Sequence, residues 1–183
     1  MKAVILGRDG VINEYSDRFV KSPAEWHPIK GSLQAIASLN QAGYQVVIAT
    51  NQSGLARGLF DIDTLNAIHR RLYDELDRVG GHLDGIFFCP HRPSDNCNCR
   101  KPRPGMMEQV ARRFHVDLAS TPVIGDSMQD LDAAQAAGAR PMLVLTGRGE
   151  TTGQRLPPDS AIPQFTDLAQ AARHILTETI RYP

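Results

Sequence analysis

Short apolar runs alternate with longer segments of helical period along the 183 residues of the chain. The continuous apolar character of YQVVIAT is typical of a parallel strand that is buried on both faces of a sheet. Alternation of this kind predicts a mostly parallel sheet with helices on both faces. The predicted strands lie at 3–6, 44–50, 85–89, 122–126 and 141–146.

Periodic apolar positions predict helices between these strands. The second predicted helix begins at the N-cap Asp61 and ends before Gly80-Gly81. Residues 147–163, which are rich in Gly, Pro and Thr, are predicted to form a loop. The chain is therefore expected to be one α/β domain over residues 1–183. The predicted helices lie at 32–43, 61–79, 105–115, 129–138 and 166–180.

Polar residues directly follow four of the predicted strands. They are Gly7-Arg8-Asp9-Gly10, Thr50-Asn51-Gln52-Ser53, Cys89-Pro90-His91 and Asp126-Ser127. Parallel strands end at one edge of the sheet, where ligands of open α/β folds bind. A capped turn explains each segment alone, but the four together favour an active site in one crevice.

Charge and composition exclude several classes of partner. Lys+Arg and Asp+Glu both number 20, so no basic excess marks a nucleic-acid or membrane partner. No apolar stretch approaches the roughly 18 residues that a membrane span requires. Three cysteines in a chain without an export signal favour a reducing compartment, so a cytoplasmic location is expected. Anion recognition must then come from a local basic cluster.

One loop carries all three cysteines of the chain together with a histidine: Cys89, His91, Cys97 and Cys99. Three thiolates and one imidazole make a closed tetrahedral set that suits structural Zn²⁺ and leaves no open position for chemistry. The alternatives are scattered surface thiols or a Cys97–Cys99 disulfide. That disulfide would be strained across one residue, and a reducing compartment disfavours it. The metal would stiffen an inserted loop at 89–104.

Basic residues follow the last cysteine and provide candidate anion ligands. Arg100 can bind a phosphate bidentately, and Lys101 can act as a compact positive charge. The alternative is a solvated basic turn. Thr50 offers a hydroxyl, the amides of residues 51–54 can form an anion-binding nest, and Arg57 is a second basic candidate.

Asp126 is the candidate Mg²⁺ ligand, because it offers a hard oxygen donor at the same edge of the sheet. It also suits the N-cap of the next helix. Asp130, one helical turn further on, would support the metal. Alternatively, Asp130 and Asp132 are first-turn acids that interact favourably with the helix dipole.

The segments GRDGVIN, TNQSGLARG, CPHRP…CNCRKPRPGM and GDSMQD resemble the motifs of the haloacid dehalogenase (HAD) superfamily of phosphatases. NQSGLARG and KPRPGM look like its heptose bisphosphate phosphatases, and histidinol-phosphate phosphatases, which share the zinc loop, are the alternative. The resemblance implies a three-layer HAD-like Rossmannoid fold with a minimal cap and a zinc-binding loop. It also implies Mg²⁺-dependent hydrolysis of a small-molecule sugar bisphosphate in the synthesis of lipopolysaccharide precursors. A monomer is expected.

The resemblance assigns roles to individual residues. Asp9 would be the general acid/base, and its backbone carbonyl would bind Mg²⁺ together with Asp126. Thr50 and Lys101 would hold the transferring phosphoryl group, and Arg100 would recognise the substrate. Further substrate contacts are implied in the segment 15–18, which includes Asp17 and Arg18, and at Asn51, Gln52, Ser53, Arg57 and Ser127.

Gly7 departs from the family pattern, because this position holds the aspartate that attacks phosphorus and binds Mg²⁺. Glycine supplies neither a nucleophile nor an anionic oxygen. We therefore predict retained phosphate binding with very low turnover. Four explanations stay open: a change made to trap substrate, a natural inactive sugar-phosphate-binding paralogue, an unrelated sequence change, or a glycine needed for positive φ.

Overall fold

The computed structural model describes residues 2–181, and it contains a six-stranded sheet in which every strand pair is parallel. The strands are β1 (Ala3–Leu6), β2 (Gln45–Asn51), β3 (Gly85–Cys89), β4 (Pro122–Gly125), β5 (Arg140–Val144) and β6 (Gln164–Phe165). Their spatial order is β3-β2-β1-β4-β5-β6. The five predicted strands are confirmed. β6 was not predicted, because two residues are too few to carry a periodic pattern.

In the part of the chain that the structure describes, six α-helices accompany the sheet, and five of them match the predicted segments. The Asp61 side chain accepts a hydrogen bond of 2.8 Å from the Thr64 amide, as an N-cap does. The helices are α1 (Ser32–Gln41), α2 (Ile62–Asp77), α3 (Gly105–Phe114), α4 (Met128–Ala136), α5 (Gly149–Arg155) and α6 (Leu168–Arg181).

Helix α5 corrects the prediction of a loop over residues 147–163. Its seven residues, GETTGQR, contain no large apolar side chain, so the sequence has no amphipathic pattern that would predict a helix here. A tertiary contact helps to hold it instead: Thr152 Oγ1 donates a hydrogen bond of 2.8 Å to the carbonyl oxygen of Asp126.

The helices pack on both faces of the sheet, which confirms the predicted three-layer α/β architecture. Val4 and Leu6 of β1 belong to a core with α1, α2 and α6, whereas Ala3 and Ile5 belong to a core with α3 and α4. This division follows from the two-residue period of a strand. Each fully buried leucine of these cores contributes about 1.5–3 kcal/mol to stability.

Two long connections leave the carboxyl edge of the sheet. Residues 7–31 join β1 to α1 and contain a 3₁₀ turn at Pro23–Glu25. The cysteine-rich loop after β3 contains a second turn at Pro93–Asp95. Within residues 2–181, no helix has the length and apolar character that crossing a bilayer requires. The connections place polar side chains beside the ends of β1, β2 and β4.

Candidate active site

A cleft of about 130 Å³ opens at the carboxyl ends of β1, β2 and β4. Residues from the first connection, the cysteine-rich loop and the strand ends line it together. Three of the four polar segments that were predicted to share one crevice therefore do so, whereas no residue of Cys89-Pro90-His91 lines it. The predicted site residues that line the cleft are Gly7, Asp9, Thr50, Asn51, Gln52, Ser53, Arg100, Lys101, Asp126 and Ser127.

The Asp9 carboxylate is held on both oxygens. Arg8 Nη2 donates to Oδ1 at 3.0 Å and to Oδ2 at 3.2 Å. Asn13 Nδ2 donates to Oδ1 at 2.9 Å, and Gln52 Nε2 donates to Oδ2 at 3.0 Å. Burial opposes ionisation, but the Arg8 charge and these hydrogen bonds outweigh it and lower the pKa of Asp9. In this arrangement Asp9 is a carboxylate, which suits the base half of its predicted role.

Thr50 is buried beside this carboxylate. Gln52 Nε2 donates to Thr50 Oγ1 at 2.8 Å as well as to Asp9. The Thr50 oxygen therefore acts as an acceptor in this contact, and its own hydrogen stays available for a ligand in the cleft. Gln52 was predicted to contact substrate, but here its amide links two residues of the site.

Lys101 forms a buried ion pair with Asp130. Its ammonium donates to Asp130 Oδ1 at 2.5 Å and to the Ala49 carbonyl at 2.7 Å. An ammonium has three N–H donors, so one remains for an anion. Burial raises the pKa of Asp130, but the positive charge of Lys101 and the hydrogen bonds to the carboxylate lower it, and the net shift is downward. Asp130 Oδ2 also accepts from Ser127 Oγ at 2.6 Å. The Ser127 amide donates to Asp130 Oδ2 at 3.1 Å and the Asp130 amide donates to Ser127 Oγ at 3.4 Å, which forms a capping box at the start of α4.

Asn51 holds the backbone of Lys101 rather than presenting a free amide. Its Nδ2 donates to the Lys101 carbonyl and its Oδ1 accepts from the Lys101 amide, both at 3.1 Å. The predicted anion-binding nest at residues 51–54 has one free donor fewer, because the backbone N–H of Gln52 donates to the Cys89 carbonyl at 2.8 Å. These contacts tie the end of β2 to the cysteine-rich loop.

Asp126 follows β4 directly and is 1% exposed. Burial and the nearby charge of Asp130 raise its pKa, although Arg148 opposes this shift. The Arg148 amide donates to Asp126 Oδ2 at 2.9 Å, and Nη2 lies 3.3 Å from Oδ1. The Arg148 guanidinium also lies 4.6 Å from the centre of the Tyr15 ring. Arg148 was not predicted as a site residue, although it lies just beyond the end of β5.

Two glycines allow the chain to approach Asp126 closely. Gly10 has φ +80°, and a β-carbon there would lie 2.1 Å from Asp126 Oδ2. A β-carbon at Gly147, with φ +58°, would lie 2.5 Å from the same oxygen. Only glycine satisfies both the backbone conformation and the contact distance at these positions.

Gly7 does not have a left-handed backbone conformation, so the explanation that this position needs glycine for positive φ is wrong. A β-carbon there would lie 3.0 Å from Val11 Cγ2 and 3.6 Å from the Ile124 carbonyl oxygen. The first contact is tight by a few tenths of an ångström, which a rotation of the valine side chain can relieve. A side chain at position 7 is therefore compatible with the fold.

Arg8 and His69 form a buried pair beneath the cleft that the sequence did not predict. The Arg8 side chain is fully buried, and its Nη1 lies 3.1 Å from His69 Nε2. Burial and the Arg8 charge lower the pKa of His69 to about 4, so the imidazole is neutral at neutral pH. Since arginine only donates, His69 Nε2 accepts here. The histidine thus helps to fix the arginine that holds Asp9.

Three predicted substrate contacts do not line the cleft. Asp17 is exposed, and Arg18 lies in a neighbouring depression with Lys21. Arg57 is exposed, and its guanidinium lies 5.7 Å from the centre of the Phe19 ring. These assignments came from a motif match, which gives a position in the chain but not the direction of the side chain.

The zinc-loop side chains converge as predicted. Their ligand atoms all lie within 4.8 Å of one another, and the three cysteines are free thiols. Cys89 Sγ lies 3.6 Å from Cys97 Sγ, and His91 Nδ1 lies 3.3 Å from Cys99 Sγ. Ligands of a tetrahedral zinc with Zn–S bonds of about 2.3 Å are roughly 3.7 Å apart, so this set fits Zn²⁺. The disulfide alternative is excluded.

Removal of the metal should loosen the loop without unfolding the sheet. We expect one zinc per purified chain by elemental analysis. Removal of zinc by a chelator should lower the free energy of unfolding by about 2.7 kcal/mol, compared with the same protein at a free zinc concentration of 100 times the Kd. Cys97→Ser should lower zinc content, whereas His115→Asn, at an exposed position with φ 53°, should not. Zinc-free protein of unchanged melting temperature would contradict the assignment.

The parallel sheet lies between two layers of helices, and a buried aspartate, a buried lysine and a threonine meet at its carboxyl edge. This combination is typical of a hydrolase of the HAD type. The family model for HAD-hydrolase-like proteins matches residues 98–171. That segment contains Lys101, Asp126 and Asp130 of the cleft.

Full-length relatives specify the family further. A D-glycero-beta-D-manno-heptose-1,7-bisphosphate 7-phosphatase of Bordetella bronchiseptica is 56% identical and covers 97% of this chain and 99% of the relative. One from Neisseria meningitidis is 46% identical, with coverages of 97% and 96%. The chain therefore belongs to the heptose-1,7-bisphosphate 7-phosphatase family. Members of this family are hydrolases of phosphoric monoesters.

A crystal structure agrees with the sequence comparison. The D,D-heptose 1,7-bisphosphate phosphatase from B. bronchiseptica, complexed with magnesium and phosphate, matches with a TM-score of 0.95 and 55% identity. The match covers 97% of this chain and 99% of that one. The family resemblance drawn from the four motifs is thus confirmed.

Proposed function

We propose that this chain binds D-glycero-β-D-manno-heptose 1,7-bisphosphate in the cleft, on the scaffold of a 7-phosphatase that lacks its nucleophile. The observation that carries this proposal is the meeting of Thr50, Lys101 and Asp126 around Gly7 at one edge of the sheet. The names of the full-length relatives support the choice of substrate.

The Lys101 ammonium and the Thr50 hydroxyl each have one hydrogen left to donate, and both line the cleft. They would bind the oxygens of the phosphoryl group that is to be transferred. Most catalysis of phosphoryl transfer comes from positioning and charge stabilisation, so this part of the machinery remains. Asp9 would act as the general acid and base. It would donate a proton to the leaving alkoxide and accept one from the attacking water.

Asp126 and the backbone carbonyl of Asp9 would hold Mg²⁺. A buried carboxylate at the cleft fits a hard cation, and the raised pKa of Asp126 reflects a site where added positive charge is stabilising. When bound, the metal would neutralise charge on the phosphoryl group. Arg148, which pairs with Asp126 here, would have to yield one carboxylate oxygen to it.

The remaining assignments complete the proposed site. Arg100 lines the cleft and donates to the His91 carbonyl at 3.3 Å, which places it for substrate recognition beside the zinc loop. Ser53 and Ser127 line the same cleft and are buried, so they would contact the phosphate rather than the sugar. Zn²⁺ bound by the cysteine-rich loop would hold Arg100 in place.

A purely non-catalytic role is the second candidate, and Gly7 favours it. Such a protein would retain the sugar phosphate without turnover. Histidinol phosphate is a weaker candidate ligand, because the full-length relatives named above are heptose bisphosphate phosphatases.

Calorimetry with the chain as it stands tests the binding proposal. Titration with heptose 1,7-bisphosphate in Mg²⁺ buffer should give saturable heat without release of phosphate. Histidinol phosphate should bind at least about tenfold more weakly than the bisphosphate. It has only one phosphate, so it cannot form the additional hydrogen bonds between a second phosphate and charged side chains.

The control is Arg57→Ala, which changes a basic residue outside the cleft and should leave the affinity unchanged. Arg100→Ala should lower it. Equal heats for the two phosphates would refute the substrate assignment, and absence of heat with both would refute binding at this site.

A further inference from the structure

The acidic side chains of the cleft are already paired. Among the residues that the structure describes, those lining the cleft are Asp9, Asp126 and Asp130. They pair with Arg8, Arg148 and Lys101, respectively. A nucleophilic carboxylate must have an oxygen free to approach phosphorus. The cleft therefore has the groups to bind a phosphoryl group but offers no carboxylate free to attack it.

Gly7 lies at the end of β1 and lines this cleft without a side chain. The nearest atoms that a β-carbon there would meet belong to Val11 and to the Ile124 carbonyl. A side chain at this position would therefore occupy space beside Val11 at the wall of the cleft. Because Gly7 itself lines the cleft, the volume into which a longer side chain would extend belongs to the cleft and is open to small molecules.

We propose that a small carboxylate, with formate as the best fit, binds beside Gly7 and acts as an external nucleophile toward the bound phosphate ester. This inference rests on the proposed function. One formate oxygen forms a bond to phosphorus while the bond from phosphorus to the sugar oxygen breaks. The sugar alkoxide takes up one proton, which Asp9 relays from water, and leaves as an alcohol. The other product is formyl phosphate. Water then hydrolyses formyl phosphate to formate and inorganic phosphate, which returns the carboxylate.

Size should decide which carboxylates work. A covalent β-carbon at Gly7 would lie only 3.0 Å from Val11 Cγ2, which is already tight. The methyl group of acetate needs more room than a hydrogen atom, and little room is left beside Val11. Formate has a hydrogen in place of this methyl group. The expected order of activity is therefore formate, then acetate, then propionate.

The experiment measures phosphate release from heptose 1,7-bisphosphate in Mg²⁺ buffer against rising sodium formate, with sodium chloride at equal ionic strength as the control. We expect a saturable rise of at least about tenfold. The rate should stay far below that of Gly7→Asp, because an attached nucleophile acts at effective molarities of about 10⁵ M or more. With acetate, hydroxylamine should trap acetyl phosphate as the hydroxamate.

Two variants locate the effect. Gly7→Ala should abolish the response to formate, because its β-carbon fills the proposed space. Val11→Ala, if it folds, should widen that space and raise the response to acetate relative to formate. The size series in the unaltered chain tests the proposal even if Val11→Ala does not fold.

The outcomes separate this inference from the proposed function. An active Gly7→Asp variant, with no formate response in the Gly7 chain, would overturn the inference and leave the function standing. A formate response that persists in Gly7→Ala would also overturn it. If Gly7→Asp is inactive and no carboxylate restores phosphate release, both proposals fail.

Discussion

Gly7→Asp is expected to restore Mg²⁺-dependent release of phosphate from heptose 1,7-bisphosphate, with a rate gain on the order of 10⁶. The reason is that the variant regains a carboxylate directly after β1, at the position where the family pattern has its nucleophile. The backbone accepts it, because Gly7 has no left-handed conformation and only Val11 must shift by a few tenths of an ångström. Initial rates of phosphate release, measured with and without Mg²⁺, test this prediction.

Gly7→Asn is the matched control, because it has nearly the shape of aspartate but no nucleophilic carboxylate. It should fold like Gly7→Asp and remain inactive. Comparable activity in both variants would mean that position 7 acts through packing rather than as a nucleophile. An inactive, folded Gly7→Asp that still binds the bisphosphate would favour the non-catalytic function instead.

The sequence was sufficient to predict five of the six strands of the sheet and the place of its ligand cleft. Buried parallel strands are continuous apolar runs, and their carboxyl ends must meet at one edge, so polar residues after such runs converge. Thr50 and Asp126 were predicted in this way, whereas Lys101 was predicted from its place in the basic segment that follows the last cysteine. The zinc loop was equally accessible, because its ligands lie close together in the chain and need no tertiary information.

The internal pairing of the site was not accessible from the sequence. His69 lies 61 positions from Arg8 along the chain, and nothing local marks it as a partner. The motif position of Gln52 predicts a substrate contact, but it does not reveal that the side-chain amide links Asp9 to Thr50. Helix α5 was missed because a tertiary contact, not an apolar period, helps to hold it.

The sequence alone also could not explain the glycine at position 7. A glycine after a strand is compatible with a backbone requirement or with the loss of a side chain, and only the φ angle distinguishes these explanations. The structure excludes the first. The turn therefore does not require glycine at position 7, and the other three explanations stay open.

Lys101→Met should destabilise the protein by about 3–5 kcal/mol, because it leaves the Asp130 carboxylate buried without its partner. Both side chains are less than a tenth exposed, so water replaces little of the lost interaction. The same change should weaken binding of heptose bisphosphate by roughly ten- to a hundredfold, the equivalent of about 1.5–3 kcal/mol for a hydrogen bond to a charged group. Urea denaturation and calorimetry measure the two effects separately.

The pH dependence of this pair has a definite sign. Lys101 lowers the pKa of Asp130 below its ordinary value near 3.8. The resulting stabilisation is complete above that value and is lost as the pH falls through the lower pKa of the folded state. Lys101→Met should therefore lose less stability on acidification than the parent chain. An identical acid profile would mean that the ion pair contributes nothing to folding.

The double variant Lys101→Met/Asp130→Asn separates stability from ligand binding. It removes both charges, and the asparagine can still accept a hydrogen bond from Ser127 within the space beside Gly125. Replacing a buried ion pair by neutral groups is often close to neutral, so most of the unfolding free energy should return. Affinity for the bisphosphate should stay low, because the ammonium that would bind its phosphoryl oxygens is still absent. If stability and affinity returned together, Lys101 would act only by supporting the fold, and the phosphate site would have to be centred on other residues.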